Sequence, residues 1–300
     1  GSFNTANGVR ALYSNTTGDN NTAIGHSALH YNTTGDNNTA NGHSALYNNT
    51  TGFSNTATGN SALYSNTEGN YNTASGMRAL YSNTTGYSNT ANGHEALFSN
   101  VAGSNATAIG FRAMYYAYSI DTAFTNDNVA VGYEALRGST SPTINTGNSN
   151  TAIGYQSLYS NISGSYNTAN GHSALYSNTT GLNNTANGHS ALYSNTAGSY
   201  NTANGHQSLY SNTTGEGNVA NGFRALFSNT TGSYNTATGN YALFSNTTGD
   251  YNVAIGHSAL HYDTTGSYNT ALGYSAYNNS GYSNSTALGY QAQPTGSNQV

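Results

Sequence analysis

Seven histidines fall at the same point of a 17-residue period: His26, His43, His94, His172, His189, His206 and His257. In two of those periods a second histidine follows four residues later, at His30 and His261. Imidazole is a common transition-metal ligand, so a column of imidazoles is a candidate zinc or nickel site. Val9, Met77, Phe111, Tyr133, Tyr155 and Phe223 fill the same slot in other periods. A slot that takes Phe and Tyr selects a flat ring, so the expectation is a half-exposed ring stack and no metal. Acids recur at a second point of the period, as Asp19, Asp36, Glu216 and Asp250. A calcium loop needs several closely spaced oxygen ligands, and one acid per period reads instead as a solvated corner.

Nucleophilic chemistry has little to work with. The chain has no cysteine, so a thiolate nucleophile, a disulfide framework and a Cys-ligated metal are all excluded. No Gly-x-Ser-x-Gly elbow is present. Ser follows His in pairs such as His26-Ser27, and Asp121 and Asp127 share one segment that carries no histidine. No catalytic residue, no cofactor and no enzymatic activity are expected. All five basic residues are arginine, and the net charge is −5. A nucleic-acid groove needs clustered cations, and so does a polybasic membrane anchor, so neither role is expected. No apolar run approaches the ~18 residues of a membrane-spanning helix. Asn-x-Thr sequons are dense, as at Asn15, Asn178 and Asn246; they read as turn chemistry, or as glycan acceptors in a eukaryotic secretory pathway.

What positions these residues is a repeat. The unit approximates Asn-Thr-Ala-Asn-Gly-His-Ser-Ala-Leu-Tyr-Ser-Asn-Thr-Thr-Gly-Ser-Tyr, numbered here from position 1 to position 17. Units start at residue 4 and every 17 residues to 106, then at 128 and 150, and every 17 residues from there to 269. Position 3 is Ala in every unit, from Ala6 to Ala287, and position 5 is Gly, from Gly8 to Gly289. So strict a phase argues against disorder despite the polar composition. Units this short are not helix pairs; they are rungs of a solenoid. The expected fold is all-β: a parallel β-solenoid (β-roll) of 17-residue coils, in one continuous array over residues 1–300.

Each coil is expected to hold two short strands. In the unit at Asn184 these are Thr185-Ala186-Asn187 and Ala191-Leu192-Tyr193-Ser194, with turns at Gly188 and at Asn195-Thr196-Ala197-Gly198. The structural ladders are represented by Ala23, Gly25 and Leu29, and by Ala186, Gly188 and Leu192. Stacking identical coils ~4.8 Å apart turns each position into a ladder, and Asn ladders can satisfy one another. The constant Ala and Gly imply crowding, either by another strand or by another chain. The inner face is thin, with Leu as the one regular large aliphatic, which makes a homotrimer attractive.

The segments 21–29, 150–158 and 252–260 carry Asn-Thr/Val-Ala-Ile-Gly-x-x-Ala/Ser-Leu. The core Ala-Ile-Gly-x-x-Ala resembles the head repeats of trimeric autotransporter adhesins, and the 17-residue form resembles repeats of phage tail fibres and large bacterial surface proteins. The resemblance implies a trimeric, extracellular, left-handed β-roll fibre on a virion or cell surface. It departs in repeat length and in the frequent Asn at position 4.

The units at 106 and 128, together residues 106–149, are 22 residues long. Both insertions follow the second expected strand, and solenoid insertions often form the binding face. The candidate binding residues are Tyr115, Tyr116, Tyr118 and Asp121 in the first, and Arg137, Ser139 and Thr140 in the second. Aromatic loops suit a surface glycan or a receptor; the equal alternative is a tolerated loop or a contact between chains. The last units, 276–300, are degenerate.

The expected function is a structural and adhesive fibre segment giving reach and surface attachment. The alternatives are a self-assembling extracellular filament stacked end to end, and an ice-binding solenoid using the threonines at position 2 (Thr5, Thr22, Thr39, Thr56). Val129, Val219 and Val253 break that threonine rank. The chain enters in phase at position 15, so it reads as an excerpt of something longer whose ends are sticky.

Overall fold

The computed structural model describes residues 1–277 and 281–299. Of the degenerate segment 276–300, residues 278–280 and 300 therefore lie outside the described residues. The chain forms two compact units, residues 1–150 and 151–300, and each is a parallel β-solenoid. Positions 2 to 4 of every repeat form a three-residue strand, as in Thr22–Ile24 and Thr185–Asn187. Successive strands pair in parallel with threonine over threonine and alanine over alanine, for example Thr185↔Thr202 and Ala186↔Ala203. One 17-residue repeat is thus one rung.

Among the described residues the second expected strand is not there. Positions 8 to 11 are turns, and Ser190 (φ 55°) and Leu192 (φ 52°) lie in the left-handed region. The same holds for Leu at position 9 throughout, although this region costs a residue with a Cβ roughly 1–2 kcal/mol. The stack sustains it. Leu192 donates its N–H to Ser208 O on the next rung at 3.0 Å, and Ser194 donates to Tyr210 O at 3.0 Å. Directly after them, Asn195 N–H closes a local turn on Leu192 O at 3.2 Å. Alternating inter-rung and local bonds let the backbone coil tightly without losing partners, which overrides the strand preference of Leu and Tyr.

Inside each unit the core is narrow and half polar. Beyond the first rung, Ala at positions 3 and 8 and Leu at position 9 are buried, including Ala23, Leu29, Ala186 and Leu192. Two asparagine ladders complete it. At position 12, Asn195 Nδ2 donates to Asn178 Oδ1 one rung back and to Gly198 O, both at 2.9 Å. At position 1, Asn184 Nδ2 donates to the same Gly198 O at 2.8 Å, and its Oδ1 accepts Asn201 N–H at 3.0 Å. Both ladders therefore converge on the glycine at position 15. A Cβ on Gly198 would lie 2.5 Å from Asn195 Oδ1 and 2.4 Å from Gly215 O.

Crowding at position 5 has the same origin. Gly188 has φ +132°, and a Cβ there would meet Gly205 O at 2.6 Å; Gly25 likewise faces Gly42 O at 2.6 Å. The close neighbour is the next rung of the same chain, so the constant glycine carries no argument for a second chain.

Candidate functional site

Three side-chain columns run up the outer surface of each unit. The rings at position 10 stack face to face. In the first unit Tyr47, Tyr64 and Tyr81 follow at 5.1 Å, and in the second Tyr176, Tyr193 and Tyr210 at 5.0–5.2 Å. The rings at position 6 form the expected half-exposed stack, with His172, His189 and His206 spaced at 4.8 and 5.1 Å. At His26, His43, His189 and His257 the ring Nδ1 meets the hydroxyl of the serine that follows, as in His189 with Ser190 Oγ at 2.9 Å. The histidines and serines are thus paired along the ladder, and no acid completes a catalytic relay in these hydrogen bonds.

Between the ring columns lies position 7, whose pattern the sequence reading missed. Arg78, Glu95, Arg112 and Glu134 occupy it on four successive rungs. Glu95 is buried and bridges Arg112 Nε at 2.8 Å and Arg78 at 3.6 Å. The signal available was charge alternation at a spacing of one rung. The Glu95 bond holds the Arg112 guanidinium above its usual value. Arg112 also sits 5.1 Å from both the Phe111 and Tyr115 rings, a cation–π arrangement on each side.

The corner acids have a structural job. Asp36 Oδ1 accepts Asp19 N–H at 2.7 Å, and Asp250 Oδ1 accepts Ser233 N–H at 2.7 Å. Serine and asparagine do the same elsewhere, as in Leu182 N–H to Ser199 Oγ at 3.0 Å and Phe53 N–H to Asn70 Oδ1 at 2.8 Å. Where position 16 is Asp, Asn or Ser its side chain can thus accept the backbone N–H of the rung before it, whereas Phe53, Tyr87 and Leu182 hold the same position without an acceptor, so the reading as simple solvated corners is corrected at the rungs that carry one. The sequon reading changes too. Asn178 and Asn246 are fully buried with Nδ2 bonded twice, so the folded chain cannot offer them as glycan acceptors.

The insertions divide the candidate binding residues. Tyr115 is not a loop residue: it is the top ring of a ladder, stacked on Phe98 at 5.1 Å. Tyr116 stands edge-on to it at 4.6 Å and carries the Arg137 guanidinium 5.0 Å from its ring. Arg137 also pairs with Glu134 at 3.2 Å. Asn145, which the sequence reading did not single out, ties the loops together. Its Nδ2 donates to Tyr116 O and to Ser139 O, and its Oδ1 accepts Ser139 N–H at 3.0 Å. Tyr115, Tyr116, Arg137 and Ser139 thus form one tied cluster. Tyr118 packs apart from them, edge-on to Phe124 at 5.1 Å. Phe124 and Thr125 form a two-residue strand against Gly103–Ser104, which closes the first insertion. Asp121 and Thr140 are exposed.

At position 2 the strands present Thr5, Thr22, Thr39 and Thr56 in register on the outer face, with Val129 breaking the rank as expected. No family model matches the chain, and no curated protein is similar to it in sequence.

Proposed function

We propose that the chain is a structural and adhesive fibre segment of a virion or cell surface, assembled as a homotrimer. The observation that carries this reading is that the repeated side-chain chemistry serves the stack. Asparagine amides, corner acids, threonine hydroxyls and rings all bond or pack against the rung above or below. Such a chain resists deformation along its ladders and leaves few groups for catalysis, which favours a mechanical role over an enzymatic one. Attachment falls to the insertion loops, where Tyr118, Asp121 and Thr140 are the candidates left outside the tied cluster, and a surface glycan or receptor is the partner. The resemblance to adhesin heads and tail fibres points the same way. Imaging the full chain by negative stain and assaying it on glycan arrays tests this. Discrete trimeric fibres whose glycan binding falls with Asp121→Ala plus Thr140→Ala are expected; single-chain particles that bind nothing would reject it, and endless filaments would favour the end-to-end assembly.

A second reading, ice binding, is favoured by seven consecutive outer threonines in register from Thr5 to Thr107. Thermal hysteresis lost on Thr56→Leu would support it, and absence of hysteresis would end it.

A further inference from the structure

The channel between the position-6 and position-10 ring columns holds a guanidinium of the chain itself at Arg112 and Arg224. Arg112 lies 5.1 Å from the ring on each side. Arg224 repeats this at 5.3 Å from both Phe223 and Phe227, with its Nε donating to Gln207 Oε1 at 2.8 Å. Tyr241 inserts a third flat group, 5.2 Å from Phe223 and 5.7 Å from Phe244.

Where position 7 is serine, the floor is short. At Ser27, Ser44, Ser173 and Ser190 the slot is closed over it, and these serines are only 4–7% exposed. Ser61 and Ser258 are half-buried instead, and Ser258 lies beneath a cleft of about 320 Å³ lined by Tyr241, His257, Ser258, His261, Tyr262 and Ser275. Here the two walls are both imidazoles, at the positions that flank the guanidinium on the Arg112 and Arg224 rungs. Tyr241 closes one end, its ring 6.1 Å from His257 and 6.0 Å from His261. Tyr262 stands edge-on to His261 at 4.6 Å and forms the outer lip. His261 Nδ1 donates to Tyr241 O at 3.3 Å, which leaves Nε2 as an acceptor in the neutral ring. Burial lowers the His261 pKa from its usual value and so favours that neutral ring.

We propose that this cleft binds the guanidinium of an arginine side chain presented by a partner peptide. The ligand's place is the one that Arg112 and Arg224 take in their own rungs, between a position-6 ring and a position-10 ring. The net charge of −5 favours a cationic partner. A guanidinium is flat and weakly hydrated and stacks on rings, whereas an ammonium is a compact, strongly hydrated point charge, so arginine is selected over lysine. The site uses none of the insertion-loop residues and does not depend on the fibre reading.

The test uses the full chain and N-acetyl-arginine amide, with N-acetyl-lysine amide as the control, followed by NMR of the imidazole protons at neutral pH. Arginine amide is expected to shift the His257 and His261 signals in a saturable way, at least tenfold more tightly than lysine amide. Ser258→Arg places the chain's own guanidinium in the cleft, as position 7 already does at Arg224, and should abolish the titration. Ser190→Arg, on a closed rung, should leave it intact. Equal response to both amides, no saturable shift, or a titration unchanged in Ser258→Arg would each overturn the proposal.

Discussion

At the scale of single residues, the asparagines carry the fold as much as the leucines do. Asn195 makes two hydrogen bonds through Nδ2, and its Oδ1 accepts Asn212 Nδ2 at 2.8 Å, all in a fully buried site. Asn195→Ala orphans Asn178 Oδ1 and removes an acceptor from Asn212. Each buried group left unpaired costs about 1–3 kcal/mol, so denaturant unfolding should show a loss of that order. An unchanged midpoint would mean that water replaces the amide. Gly188→Ala adds a Cβ 2.6 Å from Gly205 O at φ +132°. Strain of this kind costs about 1–3 kcal/mol, and the melting temperature should fall accordingly. His261 supplies a pH dependence. Burial, and secondarily the charge of His257, lowers its pKa below 6.5. Its stabilising contribution is therefore present above the unfolded value and is lost as pH falls through the folded one. His261→Phe, a ring already used at that position by Phe244, should flatten the fall in melting temperature between neutral pH and pH 5; a slope identical to the parent's would refute this.

At the scale of the element, the strand was legible and the left-handed turn that follows it was not. Thr-Ala-x with glycine directly after it gave the strand at positions 2 to 4, because β-branched threonine alternates with a buried alanine. Ala-Leu-Tyr-Ser reads as a strand on propensity alone, yet its leucine is left-handed at every rung described with leucine at position 9. Nothing local signals that: serine and leucine are not the residues that usually occupy that region, and only inter-rung bonding fixes them there. Tyr277 shows how far the slot tolerates variation. It occupies the leucine position, fully buried, and its hydroxyl donates to Asn269 Oδ1 at 3.0 Å. Desolvation pushes its pKa up to about 12. The ring columns were legible as a slot for flat groups, but the arginine–glutamate column between them was not, since each charge looks isolated until rungs are stacked. Columns of this kind predict local cooperativity. Tyr193 stacks on Tyr176 at 5.0 Å and Tyr210 at 5.2 Å. An aromatic pair contributes ~0.5–1.5 kcal/mol, so Tyr193→Ala should cost about 1–3 kcal/mol over two pairs and should perturb the near-UV circular dichroism. Tyr200→Ala, at an exposed corner, should cost far less.

At the scale of the whole molecule, the case for a trimer moves from the inside of the coil to its outside. The inner face needs no second chain, because the next rung supplies the crowding at Gly25 and Gly188. Each unit's outer strand face does present apolar groups. Ile24 and Ile109 in the first unit, and Ile153, Ile255 and Leu272 in the second, are exposed at position 4, where other rungs carry asparagine. A solvated rung has no use for isoleucine at a position where Asn187, Asn204 and Asn221 form a side-chain ladder of 2.8–2.9 Å hydrogen bonds. Burial at a subunit interface is the use proposed here, at ~25 cal/mol per Å² of apolar area removed from water. The expected mass by light scattering is three chains. Replacing Ile24, Ile109, Ile153 and Ile255 together with asparagine keeps the rung chemistry used elsewhere at position 4, so the fold should survive while the assembly dissociates to single chains with an unaltered far-UV spectrum. A parent protein that is already a folded single chain would reject the trimer, and a trimer that persists in the fourfold variant would place its interface elsewhere than on the strand faces of the two units.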